Sequence, residues 1–169
     1  MAITKAGKQN VAELNKLINS AYRGESSKKG WTTEANLLDG LRIDEETLTG
    51  YFADSNITLL KNVDESGNIT GSVYLEQRGV KLYVGMFSVS PLHQDKGIGR
   101  ALLQAAEKYA AEINCTTLTM TVISTRTELI DWYKRRGFEP TGEIQPFHEG
   151  TKFGTPKQTI ELIVLEKQI

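Results

Sequence analysis

The feature that most constrains this fold is a strand that ends at a proline and is followed by a helix start marked by glycines. The segment runs Phe87-Ser88-Val89-Ser90-Pro91-Leu92-His93-Gln94-Asp95-Lys96-Gly97-Ile98-Gly99-Arg100. Pro91 cannot donate a hydrogen bond to a sheet ladder, whereas Gly97 and Gly99 let backbone N–H groups approach a ligand closely. Because a helix N-terminus also carries partial positive charge, the segment predicts a phosphate-binding site.

Two common phosphate-binding templates fail on spacing. A dinucleotide-binding turn needs a third glycine where this chain has Leu102, and no acidic residue ends a strand about 20 residues further on. A P-loop needs a lysine directly after its last glycine, but Lys96 precedes Gly97 and Arg100 follows Gly99. The pattern that remains is Gln94-x-x-Gly97-x-Gly99.

Hydrophobic periodicity predicts alternating helices and strands around this turn. We expect Asn10 to be the N-cap of the first helix and Gly137 to end the last one. The helices are predicted at residues 10–22, from about 44, at 97–112 and at 127–136, and the strands at 3–5, 57–61, 69–75, 81–89, 116–123 and 159–165. This order indicates an α/β (mixed α+β) fold built on one sheet.

Composition narrows the class of protein. The 169 residues suit a single domain, residues 1–169, and 20 Lys+Arg against 21 Asp+Glu leave a net charge of −1, which argues against nucleic-acid binding. Without a long apolar run or a signal sequence, we expect no membrane association.

The chain has one cysteine, Cys115, which excludes an intrachain disulfide and favours a reducing compartment, hence a cytoplasmic protein. Two scattered histidines, His93 and His148, predict no metal site, and we expect His93 to be an exposed loop residue.

A second motif follows the turn at a fixed distance. A predicted strand at residues 118–123 is followed by Leu129-Ile130-Asp131-Trp132-Tyr133-Lys134-Arg135-Arg136-Gly137-Phe138. With these two motifs in this order, over about a third of its length, the chain resembles the GNAT superfamily of acyl-CoA-dependent N-acetyltransferases. The resemblance implies a mostly antiparallel sheet of six or seven strands flanked by about four helices, acetyl-CoA as co-substrate and an amine acceptor.

The resemblance also implies roles for individual residues. Tyr133 would be the general acid that protonates the departing thiolate, and the backbone N–H of Val89 would polarise the thioester carbonyl. Strand backbone would pair with pantetheine at Phe87, Ser88 and Val89. The pyrophosphate would be held by Gln94, Asp95, Lys96, Gly97, Ile98, Gly99 and Arg100.

The chain departs from the family pattern at two positions. Arg126 stands where the family often has an asparagine. We expect its side chain to contact a phosphate of the co-substrate or a carboxylate of the substrate. Tyr83 stands where histone-type members have a glutamate base, so another residue or a water must accept the amine proton. Candidate bases are Glu34, Asp39, Glu76, Glu143 and Glu149, and the candidate acceptor-pocket residues are Trp31, Glu34, Glu76 and Phe147.

Several alternatives stay open on the sequence alone. Tyr133 also fits a packed helix aromatic, and the glycines also fit a plain turn in an interaction domain. A non-catalytic acyl-CoA-binding sensor on the same fold is the main rival, because the strand glutamate is missing. The acceptor, small molecule or peptide, is open, as are a longer acyl donor and the oligomeric state, with a homodimer compatible.

Overall fold

The fold is organised around a mixed sheet of seven strands. The computed structural model describes residues 2–22, 38–39, 42–94, 96–146, 155–156 and 160–169. The sheet contains β1 (Ala2–Lys5), β3 (Ile57–Val63), β4 (Ile69–Arg78), β5 (Lys81–Val89), β6 (Thr117–Ile123), β7 (Glu139–Pro146) and β9 (Glu161–Gln168), in the order β1-β3-β4-β5-β6-β9-β7. Among the strand pairs of the described residues, only β5–β6 is parallel. The predicted fold class and strand number are confirmed, and β2 (Leu38–Asp39) pairs separately with β8 (Thr155–Pro156).

Four α-helices lie within the described ranges, as predicted: α1 (Val11–Tyr22), α2 (Glu45–Tyr51), α3 (Ile98–Glu112) and α4 (Thr127–Lys134). The Asp44 carboxylate caps α2 by accepting from the backbone N–H of Thr47 at 2.8 Å. The prediction that Asn10 caps α1 is wrong. A 3-10 turn over Lys8–Asn10 precedes α1, and the Asn10 side chain accepts from the backbone N–H of Gly7 at 2.9 Å, so the cap position falls on Gly7.

The C-terminal third differs most from the prediction. Helix α4 ends at Lys134, two residues early, and a turn leads to Gly137, whose φ of 98° is in the left-handed region. The sequence analysis missed β7, whose side chains are almost all exposed and whose sequence EPTGEIQP lacks an apolar alternation. Strand β9 continues to Gln168, beyond the predicted end at residue 165.

The sheet separates two hydrophobic cores. Helices α3 and α4 cover one face, where the largest fully buried side chain is Phe138. Helices α1 and α2 cover the other face, where Leu14, Ile18 and Leu48 are fully buried in a cluster with residues of β3, β4 and β5. None of the helices in the described ranges is long and apolar enough to cross a membrane.

Candidate functional site

A pocket of about 250 Å³ lies at the end of β5, where α3 begins and α4 passes by. Most of its wall comes from the segment that the sequence analysis singled out. It is lined by Phe87, Val89, His93, Gln94, Gly97, Ile98, Gly99, Arg100, Trp132 and Arg136. The structure thus brings together seven of the predicted cofactor-binding residues.

The two glycines of the turn are needed for different reasons. Gly97 is the residue before α3 and has a φ of 78°, a left-handed conformation that strains any residue with a Cβ atom. Gly99 has ordinary helical backbone, but a Cβ atom there would lie 3.3 Å from the Phe87 ring and 3.6 Å from the Trp132 ring. Glycine at position 99 therefore keeps the pocket open beside the first N–H groups of α3, which have no intrahelical acceptor.

The turn is fastened to the strand by side chains. Gln94 donates from Nε2 to the carbonyl oxygen of Val89 at 3.3 Å, and the His93 ring lies 3.1 Å from the Ser90 hydroxyl. His93 is half-buried and lines the pocket, so the prediction of an exposed loop residue is wrong. The reason is the tight turn from Ser90 to His93, in which the backbone N–H of His93 donates to the Ser90 carbonyl.

Beside the pocket, β5 is bulged and leaves its neighbour. Met86 has a φ of 42°, and the register with β4 shifts between Ser72 and Tyr74, so β5 gains one residue there. The parallel pairing with β6 covers only residues 81–83 of β5. From residue 84 onward the edge of β5 that faces β6 is therefore without a ladder to that strand. An extended ligand could pair with this edge, where the carbonyl oxygens of Phe87 and Val89 already accept one hydrogen bond each, from Tyr22 and Gln94.

Tyr133 is buried next to this opening. Its ring packs edge-on against Phe87, Trp132 and Phe138, with centroid distances of 6.2, 5.2 and 5.7 Å. Burial raises the pKa of the Tyr133 phenol well above its usual value, while the nearby charge of Arg126 partly opposes this shift. The phenol is therefore a protonated donor at neutral pH. The packing prediction is met, whereas the general-acid role of Tyr133 stays a prediction, and Tyr133 is not among the residues that line the pocket.

Arg136 was missed by the sequence analysis although it lines the pocket. Its guanidinium stacks 3.6 Å over the Trp132 ring, and Nη1 donates to the Trp132 carbonyl at 2.9 Å. Burial, together with the charges of Arg135 and Arg100, lowers the Arg136 pKa. The Arg-Arg pair before Gly137 was the available sequence signal, but which of the two faces the pocket depends on how α4 ends.

Not all predicted cofactor residues line the pocket. The Ser88 side chain is buried and donates to the Met86 carbonyl at 2.9 Å, and Lys96 is exposed. Arg126 is half-buried at the start of α4. Asp95 lies outside the described residues.

On the acceptor side, Glu76 is the one predicted pocket residue that the structure describes. Its carboxylate accepts from the Tyr74 hydroxyl at 3.0 Å and pairs with Arg78 at 2.5 Å. Glu76 lies opposite Tyr83 in the β4–β5 ladder, and Arg78 stacks 4.1 Å over the Tyr83 ring. Of the other named candidates, Glu143 is exposed on β7, whereas the side chains of Trp31, Glu34, Asp39, Phe147, His148 and Glu149 lie outside the described residues.

The sequence of the chain was compared with models of known protein families and with known proteins. Residues 12–138 match the family model described as Acetyltransferase (GNAT) family. The chain is 30% identical over 115 residues to a streptothricin acetyltransferase of Streptomyces lavendulae, a match that covers 67% of this chain and 60% of that enzyme. The chain thus spans less than two thirds of that relative's length.

Solved structures agree on the fold. The ribosomal-protein-S18-alanine N-acetyltransferase from Escherichia coli superposes with a TM-score of 0.75 at 15% identity, covering 99% of this chain and 93% of that one. A PaiA N-acetyltransferase from Thermoplasma acidophilum, solved in complex with coenzyme A, superposes with a TM-score of 0.69 at 16% identity and covers all of both chains.

Proposed function

Since this chain belongs to the acetyltransferase (GNAT) family, we propose that residues 1–169 form one domain that transfers the acetyl group of acetyl-CoA to a primary amine. The observation that carries the proposal is the continuity of the site. The glycine-lined helix start and the end of β5 share one pocket, and the buried Tyr133 ring packs against Phe87 in the wall of that pocket. This sequence of features matches a ligand with a pyrophosphate, an extended arm and a reactive thioester at its end.

The residues present fit coenzyme A. Gly97 and Gly99 leave room beside the first N–H groups of α3, which together with the helix dipole attract the pyrophosphate. Arg100 adds positive charge to the same wall. Backbone groups of Phe87, Ser88 and Val89 are proposed to pair with the amides of pantetheine, as an added strand would.

Two groups of the chain would act on the reacting atoms. The Val89 N–H is proposed to donate to the thioester oxygen, where negative charge develops when the amine attacks. The Tyr133 hydroxyl then gives its proton to the sulfur of the leaving thiolate. Bond formation from the amine nitrogen and cleavage of the carbon–sulfur bond thus need no covalent enzyme intermediate. Arg126, whose charge acts on Tyr133, would favour the phenolate that remains.

For the acceptor side, we propose that Glu76 attracts the amine as a cation and takes part in its deprotonation. It is the acidic side chain nearest in register to Tyr83, which stands at the position of the histone-type base. The Tyr51, Tyr74 and Tyr83 rings form an edge-to-face chain beside it, which suits a cationic group. The relatives named above act on streptothricin and on a ribosomal-protein alanine, so a panel of amines from both classes is the appropriate screen.

The deciding experiment is a parallel thermal-shift titration with acetyl-CoA, CoA, NADH and ATP. Ligand at 100 times its Kd adds about 2.7 kcal/mol to the free energy of unfolding, which raises the Tm by several degrees. A rise with acetyl-CoA and CoA alone supports the proposal. No rise with CoA, or an equal rise with NADH, contradicts it.

Turnover separates the enzyme from a non-catalytic sensor. Release of free CoA thiol from acetyl-CoA, measured across polyamines, aminoglycosides, amino acids and peptide N-termini, is expected with at least one class. Tight acetyl-CoA binding with no thiol release across the panel would favour the sensor. Product mass would show whether an acetyl group has been transferred.

A further inference from the structure

A second groove adjoins the pocket on the side of α3 and the end of α4. It has a volume of about 470 Å³. This basic groove is lined by Arg100, Leu103, Gln104, Glu107, Arg135, Arg136 and Lys167. Because Arg100 and Arg136 line both, the groove continues directly from the pocket proposed to hold the pyrophosphate.

The basic groove concentrates positive charge on a chain whose net charge is −1. Four of its lining residues are basic and one is acidic, and that one, Glu107, forms an ion pair with Lys167. The three guanidinium groups are close enough for Arg135 and Arg100 to lower the pKa of Arg136, in addition to the effect of burial. Like charges held this close destabilise a folded protein unless an anion neutralises them.

Arg136 also has an unused donor. Its Nε atom is buried and has no hydrogen-bond partner, although Nη1 is bonded to the Trp132 carbonyl. A buried donor without an acceptor destabilises a folded protein, because it has lost its hydrogen bonds to water without replacing them. Stacking on Trp132 explains why Arg136 is held in place. It does not explain why the Nε donor lacks an acceptor, nor why Arg100 and Arg135 lie close to Arg136.

We propose that the basic groove binds the 3′-phosphate on the ribose of acetyl-CoA, so that the protein discriminates between CoA and 3′-dephospho-CoA. This inference rests on the proposed function. Coenzyme A carries a phosphate monoester, close to a dianion at neutral pH, on the sugar attached to its pyrophosphate. With the pyrophosphate at the start of α3, that monoester falls within reach of the adjoining groove. Planar guanidinium groups bind such an oxyanion through paired hydrogen bonds.

The test is calorimetric titration of the full chain with CoA and with 3′-dephospho-CoA. We expect the wild type to bind CoA about 10-fold or more tightly, the equivalent of one charge-assisted contact. In the Arg135→Gln/Arg136→Gln variant both ligands should bind more weakly, because Arg136 also lines the pocket, but CoA should lose more, so that the ratio falls to about 2-fold or less. Lys134→Gln is the matched control, since it removes a neighbouring charge that does not line the groove.

Each outcome distinguishes this inference from the proposed function. Equal wild-type affinity for the two ligands overturns the inference and leaves the acetyltransferase proposal standing, whereas failure of both to bind overturns the proposed function. A variant that keeps the wild-type ratio, or that loses both ligands equally, shows that these arginines do not read the 3′-phosphate. The single variant Arg135→Gln, at an exposed site, guards against misfolding: it should reduce the ratio without lowering the Tm of the unliganded protein.

Discussion

The hydroxyl of Tyr22 donates a hydrogen bond to the backbone carbonyl of Phe87, which ties the last residue of α1 to β5 directly after its bulge. Both residues are buried, and Met86 beside them has a positive φ. The Phe87 side chain lies in the core on the opposite face of the sheet, where it contacts Tyr133. Through its backbone and its ring, Phe87 thus connects helix α1 to the pocket.

Replacement of Tyr22 by phenylalanine should loosen the bulge. We expect Tyr22→Phe to lower the free energy of unfolding by about 1–2 kcal/mol, because a buried carbonyl loses a donor. Steady-state kinetics should also show kcat/KM for acetyl-CoA reduced by about 5-fold. The matched control is Tyr109→Phe, which removes a hydroxyl bonded to Thr58 at 2.9 Å. A similar loss of kcat/KM in both variants would mean that the Tyr22 hydrogen bond only stabilises the fold.

Tyr133→Phe tests the general acid. We expect kcat to fall by about 100-fold or more, with the Kd for CoA nearly unchanged, since only the proton donor is removed. Because burial raises the pKa of the phenol, Tyr133 remains protonated up to and beyond about pH 10. The ratio of wild-type to variant rates should therefore stay constant from about pH 7 to about pH 9.5. A variant with wild-type kcat would leave Tyr133 as a packing residue.

Gly99 is expected to tolerate a methyl group but not a charge. A Cβ atom meets the edge of the Phe87 ring at 3.3 Å, so Gly99→Ala requires only a small movement and should weaken CoA binding by a few-fold. Gly99→Glu places a carboxylate beside the proposed pyrophosphate position and should abolish the thermal shift with CoA. Gly50→Glu in α2 is the control, because a Cβ atom there meets nothing within 4 Å. Wild-type CoA affinity in Gly99→Glu would refute the placement of the ligand.

Cys115 should be unreactive in the folded protein. It is 4% exposed, and burial raises the pKa of its thiol, which disfavours the thiolate that reacts with alkylating reagents. We expect no labelling by iodoacetamide at neutral pH and full labelling in urea, as measured by intact mass. Rapid labelling of the native protein would contradict the burial of this side chain.

The two motifs of this chain could be recognised in its sequence because each is formed by residues that are close together along the chain. Each glycine-marked helix end is specified by residues adjacent in sequence, and the apolar period of residues 98–112 is that of a helix packed on a sheet. Strand β7 could not be recognised in the same way, because an edge strand with exposed side chains leaves no alternating pattern. The N-terminal 3-10 turn was missed because Asn10 can bond to backbone on either side of a helix start.

By itself, the sequence determined the fold class, the two motifs and the type of ligand that a glycine-lined helix start can accept, since these depend on backbone freedom and on short-range periodicity. Only the tertiary structure decided which distant side chains meet: Tyr22 with Phe87, Arg136 with Trp132, and three arginines from α3 and the end of α4 in one groove. The physical reason is that such encounters depend on the bulge in β5, the divergence of β5 from β6 and the exact residue at which α4 ends, all of which are fixed by packing between elements far apart in the chain.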